Sequence, residues 1–427
     1  MIDTIFALSS GAPPAAIAVI RISGPQSSDA IRTLAGRLPA PRKASLCRLV
    51  DTAGNALDSA LVLWLPGPNN ATGEDCAELH LHGGRAVVSA VEQALAALPG
   101  LRKAEPGEFT RRAFANGRID LAEAEGLADL LSAETELQRR AAMAMAEGVL
   151  SQHVADWRGR LLALAAALEA DLDFSDEDDV ASLPADFSVK CDTLAGELDQ
   201  WLNRPRAEPL REGFRVVLAG PPNAGKSTLF NALVEKEAAI TAAEPGTTRD
   251  VLTQSVGMDG VPFTFVDTAG LRSEGAGEIE KIGIARAEAE ASRADLVLWL
   301  GPEGTGPSDV SLWEIEAQCD RADAIKKSSP RHRISVHSGV GLTDLRSDLI
   351  HHARASLPKP GDAALNERQF RFLSECASAL YGAGRHSDPL LAAEELRIAR
   401  SALDRLLGNA GVEDMLDALF GRFCIGK

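Results

Sequence analysis

Between the apolar run Phe214–Ala219 and a helical stretch from Thr228 to Glu235 lies Gly220-Pro-Pro-Asn223-Ala224-Gly225-Lys226-Ser227, a G-x-x-x-x-G-K-S element that few architectures can hold. Its glycines let main-chain N–H groups close around phosphate oxygens at a helix N-terminus. Lys226 then reaches the β- and γ-phosphates, and the Ser227 hydroxyl is a ligand for Mg²⁺. From Phe214 the chain alternates strand-like and helix-like segments to about Leu357, where Pro358-Lys-Pro360 punctuates it. That alternation is the grammar of a parallel α/β sheet.

Further elements follow in the order a nucleoside-triphosphate switch requires. Gly246-Thr247-Thr248-Arg249-Asp250 resembles a first switch segment, with Thr248 completing the Mg²⁺ shell. The strand candidate Val261–Val266 delivers Asp267-Thr268-Ala269-Gly270, in which Asp267 holds the metal through water and the Gly270 amide faces the γ-phosphate. Together these look like a translation-factor-related GTPase. Where such enzymes carry Asn-Lys-x-Asp, the best match is Asp320-Arg-Ala-Asp323. Asp323 is read as the carboxylate that pairs with guanine N1–H and N2–H₂. Asp320, in place of an amide, implies guanine specificity with weaker binding. Ser335-Val336-His337 is the last base-contacting loop. Leu271 stands where Ras-type enzymes orient water with Gln, so the catalytic group lies elsewhere. Asn223, with carbonyls from the segment Ala242–Thr247, suggests a monovalent cation where an arginine finger would place its charge.

The rest of the chain has a different composition. Residues 1–117 read as α+β, with strand-like runs at Ala16–Ile22, Ala60–Leu65 and Glu78–His82 and a helix candidate at Arg85–Leu98. Residues 118–211 are Ala/Leu/Glu/Arg-rich and helical, residues 212–360 are the α/β segment, and residues 361–427 return to helix, interrupted near Gly382–Gly384. The simplest topology is an α/β domain inserted into a split helical domain. With 61 Asp+Glu against 44 Lys+Arg the chain carries a formal charge of -17, so any RNA contact needs a local basic surface or a basic partner. No apolar run approaches the ~20 residues of a membrane span. Six dispersed cysteines without a C-x-x-C pair fit a reducing cytosol. His80 and His82 lack a third metal ligand and read as hydrogen-bonding residues, Met143 and Met145 as packing, and Cys424 as a tail element rather than a nucleophile.

Outside the nucleotide motifs the chain resembles the MnmE (TrmE) family of tRNA uridine-modification GTPases over nearly its whole length. The supports are Asp3–Ala7, Val19–Gly24, Thr72-Gly-Glu-Asp75, His82-Gly-Gly84, Pro106–Thr110, Arg112-Ala-Phe114, Asn116–Leu121 and the terminal Phe423-Cys-Ile-Gly-Lys427. The resemblance implies an N-terminal domain that binds a 5-formyltetrahydrofolate-type reduced folate and forms a homodimer, and an inserted G domain. It implies potassium-stimulated GTP hydrolysis coupled to G-domain dimerisation. It also implies a complex with the FAD-dependent MnmG that adds a carboxymethylaminomethyl or aminomethyl group at C5 of the tRNA wobble uridine, in the cytoplasm. Carried over by position, Arg21, Glu78, Arg118 and Lys427 match the folate site, Lys427 reaching an N-terminal domain expected to be another subunit's. Asn223, Ala242, Glu244 and Thr247 match the K⁺ site, and Glu280 matches the catalytic glutamate that positions water. A ribosome-associated regulatory GTPase is the competing reading; it predicts a basic RNA-binding module that the chain ends do not offer.

Overall fold

The computed structural model describes residues 3–173, 185–235, 252–268, 289–409, 413–421 and 423–427. The chain divides into two compact units, residues 1–128 with 403–427, and residues 129–402.

The first unit is built on a six-stranded sheet. Its strands are β1 (Thr4–Leu8), β2 (Ile17–Ser23), β3 (Ser45–Val50), β4 (Ala56–Leu65), β5 (Cys76–His82) and β6 (Leu101–Lys103), in the order β3-β4-β5-β2-β1-β6. All neighbours are antiparallel except β1 and β6. Alternation assigns the faces: Ile20, Ile22, Val62, Trp64, Leu79 and Leu81 are buried in one core, which α1 (Ser27–Ala35) and α2 (Arg85–Ala96) complete with Ala30, Ile31, Leu34, Val88 and Val91. The opposite face carries Arg21, Glu78 and His80, and Arg21 sits directly across from Glu78 in the β2–β5 register. Helices α3 (Glu108–Ala115) and α4 (Leu121–Ser132) follow.

The end of the chain returns to this unit. Phe420, which ends the C-terminal helix Glu413–Phe420, packs with Phe423 against Ala124, and its ring centroid lies 6.2 Å from that of Phe114. Gly107 has φ 69°, and a Cβ there would stand 2.2 Å from the Phe420 carbonyl oxygen, so the approach of helix end to loop needs glycine.

In the second unit α5 (Glu136–Ala146), α6 (Val149–Asp173), α7 (Phe187–Leu202) and α8 (Glu208–Glu212) precede a second six-stranded sheet. Its strands are β7 (Phe214–Ala219), β8 (Leu252–Met258), β9 (Val261–Asp267), β10 (Leu296–Trp299), β11 (Leu312–Glu316) and β12 (His332–Arg333), ordered β12-β11-β10-β7-β9-β8. Only β8 runs antiparallel to its neighbour. Val216, Leu218, Phe263, Phe265, Leu296 and Leu298 form its core, each contributing ~1.5–3 kcal/mol through burial. Helices α9 (Lys226–Val234) and α10 (Leu342–Ser356) belong to this layer, α10 supplying Leu345 and Leu349 to the same core.

Two features depart from the sequence reading. The parallel pair β10–β11 is joined by residues 300–311 without a helix, a connection that parallel strands usually make with one. The helix α11 (Glu367–Arg385) also runs through Gly382 and Gly384, and the break falls at 386–388, before α12 (Pro389–Leu407). These glycines serve packing. A Cβ at Gly382 would lie 2.9 Å from the Glu395 carboxyl carbon, and one at Gly384 3.4 Å from Cys191 Cβ on α7. There α7 and α11 lie together, with Tyr381 Oη donating to Asp199 Oδ2 at 2.7 Å.

Candidate functional site

The phosphate loop is set by backbone. Strand β7 ends at Ala219, Gly220 has φ 150°, and Asn223 has φ 60°, a left-handed conformation rare for a residue with a Cβ. Gly225, also left-handed at φ 93°, starts α9, which begins at Lys226 rather than at Thr228. The Lys226 ammonium, nearly buried, donates to the carbonyls of Gly220 at 3.0 Å and Pro221 at 2.8 Å, the loop that would otherwise wrap phosphate. Ser227 Oγ donates to Oδ2 of the fully buried Asp267 at 2.6 Å. A hydroxyl and a carboxylate converging beside a helix N-terminus form a hard-oxygen donor set suited to Mg²⁺. Thr268 Oγ1 donates to the Leu218 carbonyl at 2.8 Å and ties the end of β9 to β7. Ala224 is buried under the loop, and Thr228 follows in the first turn of α9. Ala242, Glu244, Thr247, Thr248, Ala269, Gly270 and Glu280 lie outside the described residues.

Base-side geometry differs from the sequence expectation. Asp323 is exposed and both its oxygens are taken by Arg321, at 3.0 Å each. Asp320 instead faces the last loop: a hydrogen bond from the Ser335 hydroxyl, with lesser help from the charges of His337 and Arg321, holds its carboxyl below the ordinary range. Ser335 is itself buried, and its main-chain N–H donates to the Val340 carbonyl at 3.0 Å. The element that follows β11 directly is therefore Ala317-Gln318-Cys319-Asp320. The sequence reading missed β11 because Glu314 and Glu316 interrupt its apolar run. Trp313 and Ile315 alternate with them, a period-2 signal that was there to be used. The structure satisfies those carboxylates: the buried Lys327 ammonium donates to Glu314 Oε2 at 2.5 Å, and Arg333 Nε to Glu316 Oε2 at 3.1 Å.

Gln318 also escaped the sequence reading. It holds φ 54°, its Nε2 donates to the Asn223 carbonyl at 3.4 Å, and a Cβ on Gly225 would stand 3.0 Å from that nitrogen. It thus leans over the phosphate loop from the base side.

In the first unit, Arg21 donates through Nε and Nη2 to Glu78 Oε1 at 3.2 and 3.0 Å, and His80 Nε2 meets Glu78 Oε2 at 3.2 Å. Burial works to raise the Glu78 carboxyl, but the Arg21 charge and the bonds from His80 and Arg21 outweigh it and hold the group low. The Arg21 guanidinium lies 5.8 Å from the Phe109 ring centroid. The Phe109 N–H donates to the Lys427 carbonyl at 3.2 Å, and Ser9 Oγ donates to the Gly426 carbonyl at 2.8 Å. The tail therefore reaches the N-terminal domain of its own chain, where another subunit's was expected. Arg118 is exposed, its stem beside Gly73, where a Cβ would approach its Cγ to 3.1 Å.

In the same unit Arg112 is fully buried among Asp3, Glu74 and Glu108, donating to their carboxylates at 3.0, 3.0 and 3.1 Å. It locks β1, the Thr72–Asp75 loop and α3 together. His82 Nδ1 meets Asp58 Oδ1 at 2.7 Å, so His80 and His82 each have a carboxylate partner.

Comparison with known proteins follows this architecture along the whole chain. Residues 4–118 match the family model of the GTP-binding protein TrmE N-terminus, and residues 121–424 match that of the MnmE helical domain. The chain is 68% identical over 437 residues to the tRNA modification GTPase MnmE of Novosphingobium aromaticivorans, covering 100% of each chain. It is 62% identical to that of Erythrobacter litoralis, again covering 100% of each, and 55% identical to that of Sphingopyxis alaskensis, covering 96% of this chain and 100% of the relative. A solved G domain of the T. maritima FeoB iron transporter is 26% identical over 33% of this chain and 98% of its own, with a TM-score of 0.24. With relatives matched from end to end at this identity, the chain belongs to the MnmE (TrmE) family of tRNA modification GTPases.

Proposed function

We propose that the chain couples GTP hydrolysis to modification at C5 of the tRNA wobble uridine, adding a carboxymethylaminomethyl or aminomethyl group with a one-carbon unit from a reduced folate. The observation that carries the nucleotide half is Ser227 Oγ against the buried Asp267 carboxylate at 2.6 Å, at the start of the helix that Gly225 opens. Ser227 and Thr248 would hold Mg²⁺, with Asp267 acting through water. The ion would supply charge to the β/γ-phosphate oxygens. Asn223, with Ala242, Glu244 and Thr247, is the set we assign to K⁺, and Glu280 is our choice to position the attacking water.

Guanine is read by Asp320 rather than Asp323. The Ser335 hydroxyl orients the Asp320 carboxylate, whereas Asp323 is occupied by Arg321. A carboxylate accepts from both N1–H and N2–H₂ of guanine, a pair that adenine does not present.

Arg21, Glu78, Arg118 and Lys427 are the residues we assign to the folate, which when bound supplies the one-carbon unit. The pocket offers cations for carboxylates or carbonyls and an acceptor for pteridine N–H groups. The open sheet face beside it, with Ile17, Leu46 and Leu61 exposed, suits a homodimer contact. The pairing of α7 with α11, from either side of the α/β sheet in sequence, supports the G domain (212–360) as an insertion between helical halves at 118–211 and 361–427. The N-terminal domain is residues 1–117. MnmG is the proposed partner in a heterotetramer, and the cytoplasm the compartment. Analysis of tRNA nucleosides from cells lacking the gene tests this reading. The wobble-uridine C5 group should disappear and return with the parental gene but not with Ser227→Ala; an unaltered nucleoside profile overturns it.

A further inference from the structure

A chain with a formal charge of -17 that acts on tRNA needs a local surface of the opposite sign or a basic partner, and the first unit has such a surface. Between Asp29 and Asp51 stand Arg32, Arg37, Arg42, Lys43 and Arg48, and no carboxylate. All five are exposed. They follow an arc from the last turn of α1, through the connecting loop, into β3, the edge strand of the sheet. Among the described residues none of the five forms an ion pair. Elsewhere exposed arginines commonly do: Arg139 with Glu136, Arg331 with Asp348, Arg354 with Asp259.

Two of the nearest carboxylates in sequence are committed elsewhere. Asp51 accepts from the Ala53 and Asn55 N–H groups, and Asp58 is held by His82. The arc is also anchored rather than loose. Arg42 sits at φ 60°, a conformation disfavoured for arginine, and is kept there by its N–H donating to the Trp64 carbonyl at 2.8 Å and its guanidinium donating to the Asn69 carbonyl. Charge on an edge strand also discourages sheet-to-sheet pairing. That explains Arg48, the one cation of the five on β3, and leaves Arg32, Arg37, Arg42 and Lys43 unaccounted for.

We propose that the α1–β3 arc is a contact surface for the phosphate backbone of tRNA. The inference rests on the tRNA reading above. Repeated exposed cations without counter-charges suit a polyanion, while the mixed charges of a protein partner would leave several unmatched. Such contacts position the RNA and carry no sequence information of their own.

The test uses the full chain and an unmodified tRNA transcript, with fluorescence anisotropy over a series of salt concentrations. The double variant Arg37→Glu/Lys43→Glu should lose ~10-fold or more in affinity at moderate salt, and the salt slope should fall by about two. Arg37→Gln/Lys43→Gln should show the same slope change with a smaller loss. Arg400→Glu, an exposed cation on α12, should leave affinity within ~2-fold, and GTP hydrolysis without tRNA should be unchanged in all variants. Unchanged affinity and slope in both double variants overturn the proposal, with or without self-association through β3. An equal loss in Arg400→Glu also overturns it, because net charge alone would then be responsible. A parental chain that binds no tRNA at low salt overturns the proposal as well, whereas the tRNA reading itself falls only if the nucleoside profile of cells lacking the gene is unaltered.

Discussion

The phosphate loop and the folate pocket proposed for the N-terminal domain are built in opposite ways. Gly220–Thr228 is one continuous stretch whose shape follows from left-handed residues at Asn223 and Gly225 and from the helix that begins at Lys226. The pocket gathers Arg21, Glu78, Phe109 and Lys427 from positions up to 406 residues apart, and depends on the β2–β5 register and on the docked tail. A local site tolerates much that happens elsewhere. An assembled one is lost when any one of its distant supports shifts.

The largest expected effect is on the local site. Ser227→Ala removes the proposed Mg²⁺ ligand, a contact of that kind being worth several kcal/mol in the transition state, so hydrolysis should drop on the order of 1,000-fold. GDP binding, measured by fluorescent-nucleotide titration, should stay within ~10-fold, and folate binding should not change. Equal loss of nucleotide and folate binding would mean that the two regions are not independent.

Next comes base recognition, where the two aspartates separate contiguous from assembled logic. Losing a charge-assisted hydrogen-bond acceptor costs ~1.5–3 kcal/mol, so Asp320→Ala should weaken GDP by ~10–100-fold. Asp323→Ala, which breaks only an exposed ion pair, should stay within ~3-fold. The reverse ranking would return the role to Asp323.

A smaller change is expected at the tail. Gly426 has φ 98°, and a Cβ there would stand 2.1 Å from the Leu8 carbonyl oxygen. Gly426→Ala should therefore undock Lys427 and weaken formyl-tetrahydrofolate by ~10-fold in titration calorimetry, as one lost charged contact would. Intrinsic GTP hydrolysis should be unaffected. Unaltered folate affinity would remove the tail from the pocket.

The subtlest expectation is a pH dependence of the first unit. Glu78 and Glu108 are held below their ordinary value of 4.5 by arginine partners that overcome the raising effect of burial. A depressed carboxyl contributes stability that is present above the unfolded value and lost as pH falls through the folded one. Acid unfolding monitored by hydrogen exchange should thus open strands β2 and β5 below about pH 4.5, and Glu78→Gln should flatten that response. No change in the Glu78→Gln profile would mean that its ion pair with Arg21 adds nothing to the fold.

The sequence alone determined what short-range backbone chemistry controls. A glycine-flanked loop after β7 can close only one way, Lys226 and Ser227 must then point at the loop mouth, and strand β9 must deliver Asp267 beside them. Apolar and period-2 patterns likewise marked β2, β4, β5, β7 and β9, and a helical pattern marked α2, to within a few residues. Tertiary structure decided everything that depended on which distant groups meet. Asp323 was the expected guanine carboxylate until the structure showed it paired with Arg321 and placed Asp320 closer to the end of β11, the basis for the proposal that Asp320 takes its part. Gly382 and Gly384 read as helix breakers until close neighbours on α12 and α7 made them helix-packing residues. The tail was expected to serve another subunit until Gly107, Ser9 and Phe109 held it in its own. The reason is common to all three: local geometry is set by the torsions of a few adjacent residues, whereas a choice between distant partners is made by packing and hydrogen-bond satisfaction, which no short stretch encodes.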